Sequence, residues 1–213
     1  MNLIIFDLDG TVLDTLADLT AALNHALLNN GLPPRTLPEV RSFVGNGIRK
    51  LIERGVPSGT PEAVIGAVHA DFTAYYEKHC ADATAPYAGV RETLAALRAA
   101  GYRTAVVSNK ADYAVQKLVK KYFPGDFDFA VGETPEMRRK PAPDMVFAAL
   151  SALNVPKEEA LFVGDSEVDI ETAKNAGIPC VSVTWGFKDR DFLLAHGAET
   201  LIDTPRELLG VKL

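Results

Sequence analysis

The sequence predicts an α/β protein, with a doubly wound parallel sheet as its core and an inserted all-helical domain. From residue 90 onward, short β-branched apolar runs alternate with longer helical patterns, as in a parallel sheet covered by helices. Residues 16 to about 82 show only helical periodicity. Ahead of them, the apolar run Leu3–Phe6 has the composition of a central strand buried on both faces.

The elements are expected in the following order. Leu3–Phe6 is the first strand, and the insertion carries helical patterns separated by glycines and prolines, at 16–29, 38–53 and 61–79. Later strands are predicted at 103–108, 127–131, 160–164 and 179–184, and the helices between them at 111–122, 143–153 and 167–176. We therefore predict a core formed by residues 1–15 and 83–213, and a helical domain formed by residues 16–82.

Composition narrows the classes of partner. The 213 residues include 22 Lys and Arg against 28 Asp and Glu, a net charge of −6, and 47% are hydrophobic. The hydrophobic content argues against a disordered or fibrous chain, and the net negative charge argues against nucleic acid or an anionic membrane as the main partner. No apolar run reaches the roughly 18 residues of a spanning helix. Cys80 and Cys180 match no metal or redox spacing, so a cytoplasmic location is expected. The sequence is compatible with either a monomer or a homodimer.

Two carboxylates follow the first strand, in the segment Asp7-Leu8-Asp9-Gly10-Thr11. Side chains at i and i+2 of an extended strand point the same way, and ligands bind at such strand ends in parallel sheets. Asp-Gly after a strand is also good turn chemistry. A functional reading is favoured because two charges held beside a buried strand need a cation or a shared proton.

A second acidic cluster, Gly164-Asp165-Ser166-Glu167-Val168-Asp169, follows another predicted strand. Asp169 lies one helical turn after Asp165, on the same helix face. Capping of the following helix is the alternative reading for these residues. Carboxylates at the ends of neighbouring parallel strands form the hard-oxygen site that Mg²⁺ prefers.

Two further strand ends carry complementary groups. Ser108-Asn109 offers a hydroxyl and an amide, although this dipeptide is also common in loops. Lys140-Pro141-Ala142-Pro143 holds a cation in a backbone restricted by two prolines, just before a helix. We interpret Lys140 as a functional cation that the prolines hold in a fixed position, and Arg138 and Arg139 as part of a solvated loop.

In this order, the four segments resemble the motifs of the haloacid dehalogenase (HAD) superfamily across the whole core. The matching residues are Asp7-x-Asp9-x-Thr11, Ser108-Asn109, Lys140-Pro-x-Pro and Gly164-Asp165-Ser166-x-x-Asp169. The resemblance implies a Rossmann-like core with a helical cap. The segment from Arg41 to Arg54 and the general layout are most similar to the phosphoglycolate phosphatases of that superfamily.

The resemblance also implies a phosphatase mechanism. Asp7 would attack phosphorus to give an aspartyl phosphate, which divides one difficult displacement into two easier ones. Asp9 would protonate the leaving alkoxide and then take a proton from water. Ser108 and Lys140 would hold the phosphoryl oxygens.

The remaining implied roles concern the metal and the substrate. The expected cofactor is Mg²⁺, and its candidate ligands are Asp7, Asp9 through its backbone carbonyl, Asp165 and Asp169. Asp169 would either bind the metal directly or contact a residue that does. Expected substrate contacts are Thr11, Asn109, Gly45 and Arg49. For Arg49, a solvated helix face is an equally good reading.

The expected partner is a small-molecule phosphate ester, with 2-phosphoglycolate favoured. Two alternatives remain. One is a phosphatase of broad range or with another substrate, such as pyrophosphate, a nucleoside monophosphate or a sugar phosphate. The other is a phosphoacceptor module similar to receiver domains, which store an aspartyl phosphate; Asp9, a base able to activate water, argues against storage.

Overall fold

The computed structural model describes residues 2–211, and these divide into two compact units. One contains Met1–Leu13 and Pro86–Leu213, and the other contains Asp14–Ala85. The expected boundaries, 15/16 and 82/83, lie within three residues of these. The chain passes between the units at two short strands that pair with each other, β2 (Leu13–Asp14) and β3 (Ala85–Pro86).

The larger unit is built on a six-stranded parallel sheet, which confirms the predicted α/β class. Its order is β5-β4-β1-β6-β7-β8. The strands are β1 (Leu3–Phe6), β4 (Arg103–Ala111), β5 (Phe129–Glu133), β6 (Ala160–Gly164), β7 (Cys180–Val183) and β8 (Thr200–Ile202). The central strand is thus the first in the sequence, as its uninterrupted apolar composition requires.

Helices of this unit follow the strands. They are α5 (Val90–Ala99), α6 (Asp112–Tyr122), α7 (Asp144–Leu153), α8 (Glu167–Ala176) and α9 (Arg190–Ala195). Leu3 and Ile5 of β1 form one continuous core with Val107 of β4, with Met145 of α7 and with Ala173 of α8. Alternate residues of each strand therefore pack under these helices, while the carboxyl ends of the strands are left for polar side chains.

The smaller unit contains α1 (Leu16–Asn29), α2 (Leu37–Phe43), α3 (Gly47–Gly55) and α4 (Glu62–His79). The pattern at 38–53 is divided between α2 and α3, because Gly45 adopts a positive φ of 120°. Asp18 of α1 is buried and accepts hydrogen bonds from the backbone amides of Ala83 and Thr84. This contact fixes the beginning of the unit to its end.

Several boundaries differ from the prediction. β5 begins two residues later than expected, and β4 continues to Ala111. Helices α5 and α9 and strand β8 were not predicted; β8 is a short, partly exposed edge strand with no strong apolar run. Among residues 2–211, no helix is both long and apolar enough to cross a membrane.

Candidate functional site

Asp7 lies directly after β1, at the carboxyl edge of the sheet. Its backbone N–H donates to the carbonyl of Val163, so the residue is still held by the β1–β6 ladder. Its Oδ1 accepts a hydrogen bond from the amide of Leu8 at 2.7 Å and lies 2.9 Å from Nζ of Lys140. Burial raises the pKa of Asp7 to about 7; the Lys140 ammonium opposes this shift, and the Asp169 carboxylate adds to it.

Lys140 is enclosed between two carboxylates. Its Nζ lies 2.7 Å from Oδ1 of Asp169, and its side chain is only 2% exposed. Burial opposes the charged form, but the carboxylates of Asp169 and Asp7 outweigh it and raise the pKa of the Lys140 ammonium. The backbone of Lys140 is fixed as well: its N–H donates to Oδ1 of Asn109, and its carbonyl accepts from Nδ2 of the same residue. Asn109 thus holds the Lys140 peptide, and its expected contact with substrate stays a prediction.

Asp169 connects Lys140 to the start of α8. Its Oδ2 accepts hydrogen bonds from the amide and the hydroxyl of Ser166, in the capping arrangement that satisfies the first amides of a helix. The carboxylate is fully buried. Asp169 therefore caps the helix through Oδ2, which is the alternative reading of this cluster, and pairs with Lys140 through Oδ1; its place in a metal site stays a prediction.

Asp165, at the end of β6, is held by two other segments. Its Oδ2 accepts from the amide of Phe187 at 2.6 Å, and its Oδ1 lies 3.4 Å from the Thr11 hydroxyl. Thr11, also expected to contact substrate, thus supports Asp165. Burial, followed by the charges of Asp169 and Asp7, raises the pKa of Asp165 well above its ordinary value.

The loop after β7, residues 184–187, contacts Thr11 and Asp165, and this contribution to the site was not predicted from the sequence. Trp185 donates from its indole N–H to the carbonyl of Thr11 at 3.0 Å. A Cβ on Gly186 would collide with the Asp165 side chain and the Gly10 carbonyl. Glycine is therefore required for this loop to approach Asp165 so closely. The sequence carries a glycine here, but no spacing connects it to the other motifs.

Three of these carboxylates could hold a cation. Asp7, Asp165 and Asp169 are buried, and each offers an oxygen within 4.8 Å of the others. Carboxylate oxygens are the donors that Mg²⁺ takes in proteins. Burial raises the pKa of Asp7 and of Asp165, and a bound cation would oppose this shift. The residues present therefore fit a hard divalent cation.

The second carboxylate of the first motif has a cationic partner that we did not predict. Nζ of Lys110 lies 3.0 Å and 3.1 Å from the two oxygens of Asp9. The amide of Lys110 also donates to the hydroxyl of Ser108 at 3.3 Å. Asp9 and Ser108, two expected catalytic residues, are thus both connected to Lys110.

The expected substrate residues Gly45 and Arg49 belong to the helical unit. Gly45 lies between α2 and α3. The Arg49 guanidinium is bound by two carboxylates, at 2.7 Å from Glu53 and 2.6 Å from Glu62. These are surface ion pairs, since the Arg49 side chain is 35% exposed and that of Glu62 is 76% exposed; contact with substrate stays a prediction.

Comparison with known proteins agrees with this geometry. Residues 4–183 match the family of haloacid dehalogenase-like hydrolases. The phosphoglycolate phosphatase of Pseudomonas putida is 36% identical, over 98% of this chain and 78% of its own length. The N-acetylmuramic acid 6-phosphate phosphatase of Pseudomonas aeruginosa is 32% identical, over 99% of this chain and 94% of its own.

A solved structure shares the whole fold. The crystal structure of a candidate phosphoglycolate phosphatase from Lactobacillus delbrueckii subsp. bulgaricus superposes with a TM-score of 0.93 and 38% identity, covering 97% of this chain and 96% of that one. The four motifs expected from the sequence lie within or beside the matched residues, at the carboxyl edge of the sheet. The chain therefore belongs to the haloacid dehalogenase-like hydrolase family, as a hydrolase of phosphoric monoesters.

Proposed function

We propose that the protein is a Mg²⁺-dependent phosphatase that hydrolyses 2-phosphoglycolate to glycolate through an aspartyl phosphate on Asp7. The observation that carries this proposal is the buried Asp7 carboxylate. It is held by Lys140 at 2.9 Å and lies beside the buried carboxylate of Asp165, which could share a cation with it. Phosphoryl transfer requires chiefly such positioning and charge compensation.

In the first step, an oxygen of Asp7 attacks phosphorus, and the bond from phosphorus to the ester oxygen breaks. Asp9 gives its proton to the departing alkoxide, so that an alcohol leaves. In the second step, Asp9 takes a proton from water, and the resulting hydroxide attacks the phosphorus of the aspartyl phosphate. The bond from phosphorus to Asp7 then breaks, which releases inorganic phosphate and restores the carboxylate.

The other residues of the site hold the reacting groups. Ser108 and Lys140 would bind phosphoryl oxygens, and Lys140 also restrains Asp7 through their 2.9 Å contact. Mg²⁺, when bound, would offset the repulsion between an anionic nucleophile and an anionic phosphate. We assign its binding to Asp7, Asp165 and the Asp9 carbonyl. We assign Asp169 to Lys140 and Ser166, because both of its oxygens already accept hydrogen bonds from them.

The choice of substrate rests on the relatives. Phosphoglycolate phosphatases are among the similar proteins, at 36% identity for that of Pseudomonas putida. A relative at 32% identity is named for a phosphorylated amino sugar acid, so a sugar phosphate is the second candidate. Gly45 and Arg49 remain in the proposal as substrate contacts. Arg49 would then exchange a glutamate carboxylate for that of the substrate.

The test measures Mg²⁺-dependent phosphate release from 2-phosphoglycolate, N-acetylmuramic acid 6-phosphate, pyrophosphate, nucleoside monophosphates and sugar phosphates. We expect kcat/KM for 2-phosphoglycolate to exceed the others at least tenfold, about 1.4 kcal/mol of transition-state preference. A flat profile, or a preference for another ester, would remove this substrate but keep the mechanism.

Asp7→Asn tests the mechanism itself. We expect loss of turnover by at least about a thousandfold, because the amide cannot replace the nucleophile. Asp191→Asn, at an exposed aspartate in the first turn of α9, serves as the matched control and should keep wild-type activity. Unchanged turnover in Asp7→Asn would exclude the aspartyl phosphate route. A stable phosphoprotein formed by the wild type without phosphate release would support the receiver-like alternative instead.

A further inference from the structure

Lys110 is a buried cation outside the four motifs. Its side chain is only 2% exposed, yet its ammonium reaches both oxygens of Asp9, whose side chain is 15% exposed. Withdrawing an ammonium group from water is costly unless a carboxylate and hydrogen bonds compensate it. The Asp9 carboxylate therefore compensates the buried charge of Lys110, and the lysine in turn interacts directly with the proposed acid–base group.

The backbone around Lys110 is shaped to bring it there. Val107 pairs with Val131, and Ala111 pairs with Glu133, so four residue steps along β4 oppose only two along β5. Irregularities of this kind bend a strand and redirect its side chains, often beside active sites. In a regular strand, by contrast, successive side chains would simply alternate between faces.

The neighbouring strand accommodates this irregularity through a glycine. A Cβ on Gly132 of β5 would collide with the carbonyl oxygen of Lys110 and with the backbone of Asp112. Only a residue without a side chain permits this approach. The position of Lys110 is therefore built into two strands, and does not depend on a flexible surface side chain.

We propose that Lys110 is a positioning residue, which holds the carboxylate of Asp9 in the orientation required for proton transfer to the leaving group and from water. The inference rests on the proposed function, since it acts through the acid–base role of Asp9. Contact with both oxygens holds the end of the Asp9 side chain in one position, and loss of the ammonium would remove this restraint. General acid–base catalysis is sensitive to such placement.

The test is a double-mutant cycle with Lys110→Met, Asp9→Asn and the combined variant. Lys110→Met keeps the length of the side chain and removes its charge. Turnover is measured with Mg²⁺ and p-nitrophenyl phosphate, whose leaving group needs little protonation, so that residual rates of the Asp9 variants remain measurable. We expect Lys110→Met to lower kcat about 30- to 1000-fold, with KM changed less than threefold.

In the Asp9→Asn background, the same substitution should change kcat less than threefold, because the group that Lys110 positions is already lost. Full, independent losses in both backgrounds would overturn the inference, as would a rise in KM without a fall in kcat. Either result would show that Lys110 binds the phosphate directly. Lys120→Met, at an exposed lysine of α6, is the matched control and should retain wild-type kinetics.

Two further measurements separate this inference from loss of folding and from failure of the proposed function. Thermal unfolding of each variant reports stability, and the cycle is repeated with Lys110→Gln if the methionine variant does not fold. Lys110→Arg keeps the charge, and its kcat should be at least tenfold higher than that of Lys110→Met. Equal kcat values for these two variants would contradict a role of the charge. If wild-type turnover is absent or survives Asp7→Asn, the proposed function fails, whatever the cycle shows.

Discussion

Ion pairs of nearly equal length occupy very different surroundings in the two units. In the α/β unit, Lys140 and Asp169 approach to 2.7 Å with side chains 2% and 1% exposed. In the helical unit, Lys50 and Glu53 approach to 2.6 Å with side chains 48% and 29% exposed. Water screens the second pair and is excluded from the first. Distance alone therefore does not reveal which pair the molecule depends on; burial does.

The largest effect should come from breaking the buried pair. Lys140→Met would leave the carboxylates of Asp7 and Asp169 without their ammonium, and removing one partner of a buried pair typically costs about 3–5 kcal/mol. We expect a loss of this size in urea denaturation with a chelator present, together with loss of turnover. Lys50→Met provides the exposed counterpart and should change stability far less. Equal effects of the two substitutions would contradict the comparison.

Mg²⁺ should increase the difference between the buried and the exposed ion pairs, because it would bind only at the buried carboxylates beside Lys140. We expect saturating Mg²⁺, at about 100 times its dissociation constant, to stabilise the wild type by about 2.7 kcal/mol. Asp165→Asn should remove most of this stabilisation, while Lys50→Met should keep it. Thermal unfolding measures the effect. Fluorescence of Trp185, the single tryptophan, gives a second readout, since it contacts Thr11 beside Asp165. An undiminished Mg²⁺ shift in Asp165→Asn would exclude this site.

The smallest effect concerns the exposed pair and depends on pH. Hydrogen bonds from Lys50 and Arg49 lower the pKa of Glu53 to about 2. A carboxyl with a lower pKa in the folded state stabilises it above the ordinary pKa of 4.5, and this contribution is lost as pH falls toward 2. Unfolding midpoints of wild type and Glu53→Gln should therefore differ slightly at pH 6 and converge as pH approaches 2. A difference that grows on acidification would have the wrong sign.

The fold and most of the site were readable from the sequence because their signals are local. Apolar runs such as Leu3–Phe6 identify buried strands, and polar residues that follow several such runs must meet at one edge of a parallel sheet. Asp7, Lys140, Asp165 and Asp169 were found in this way and do lie together.

What was missed depends on geometry between distant segments. Lys110 approaches Asp9 because β4 is irregular and Gly132 makes room for it, and neither feature leaves a periodic signal. The contact of Phe187 with Asp165 comes from a loop with no motif of its own. Thr11 and Asn109 lie beside Asp165 and Lys140, and a sequence pattern does not reveal these supporting contacts; their contact with substrate stays a prediction.

The central position of β1 has a consequence for biosynthesis. Leu3 pairs on one side with Arg103 and on the other with Ala160, so β1 leaves the ribosome well before both of its partners. The helical unit, whose residues are contiguous, can fold in the meantime. Asp7 and Asp165 can meet only after β6 has emerged. Nascent chains released before that point would carry Asp7 without the carboxylates of Asp165 and Asp169, so the carboxylate cluster is completed late in synthesis.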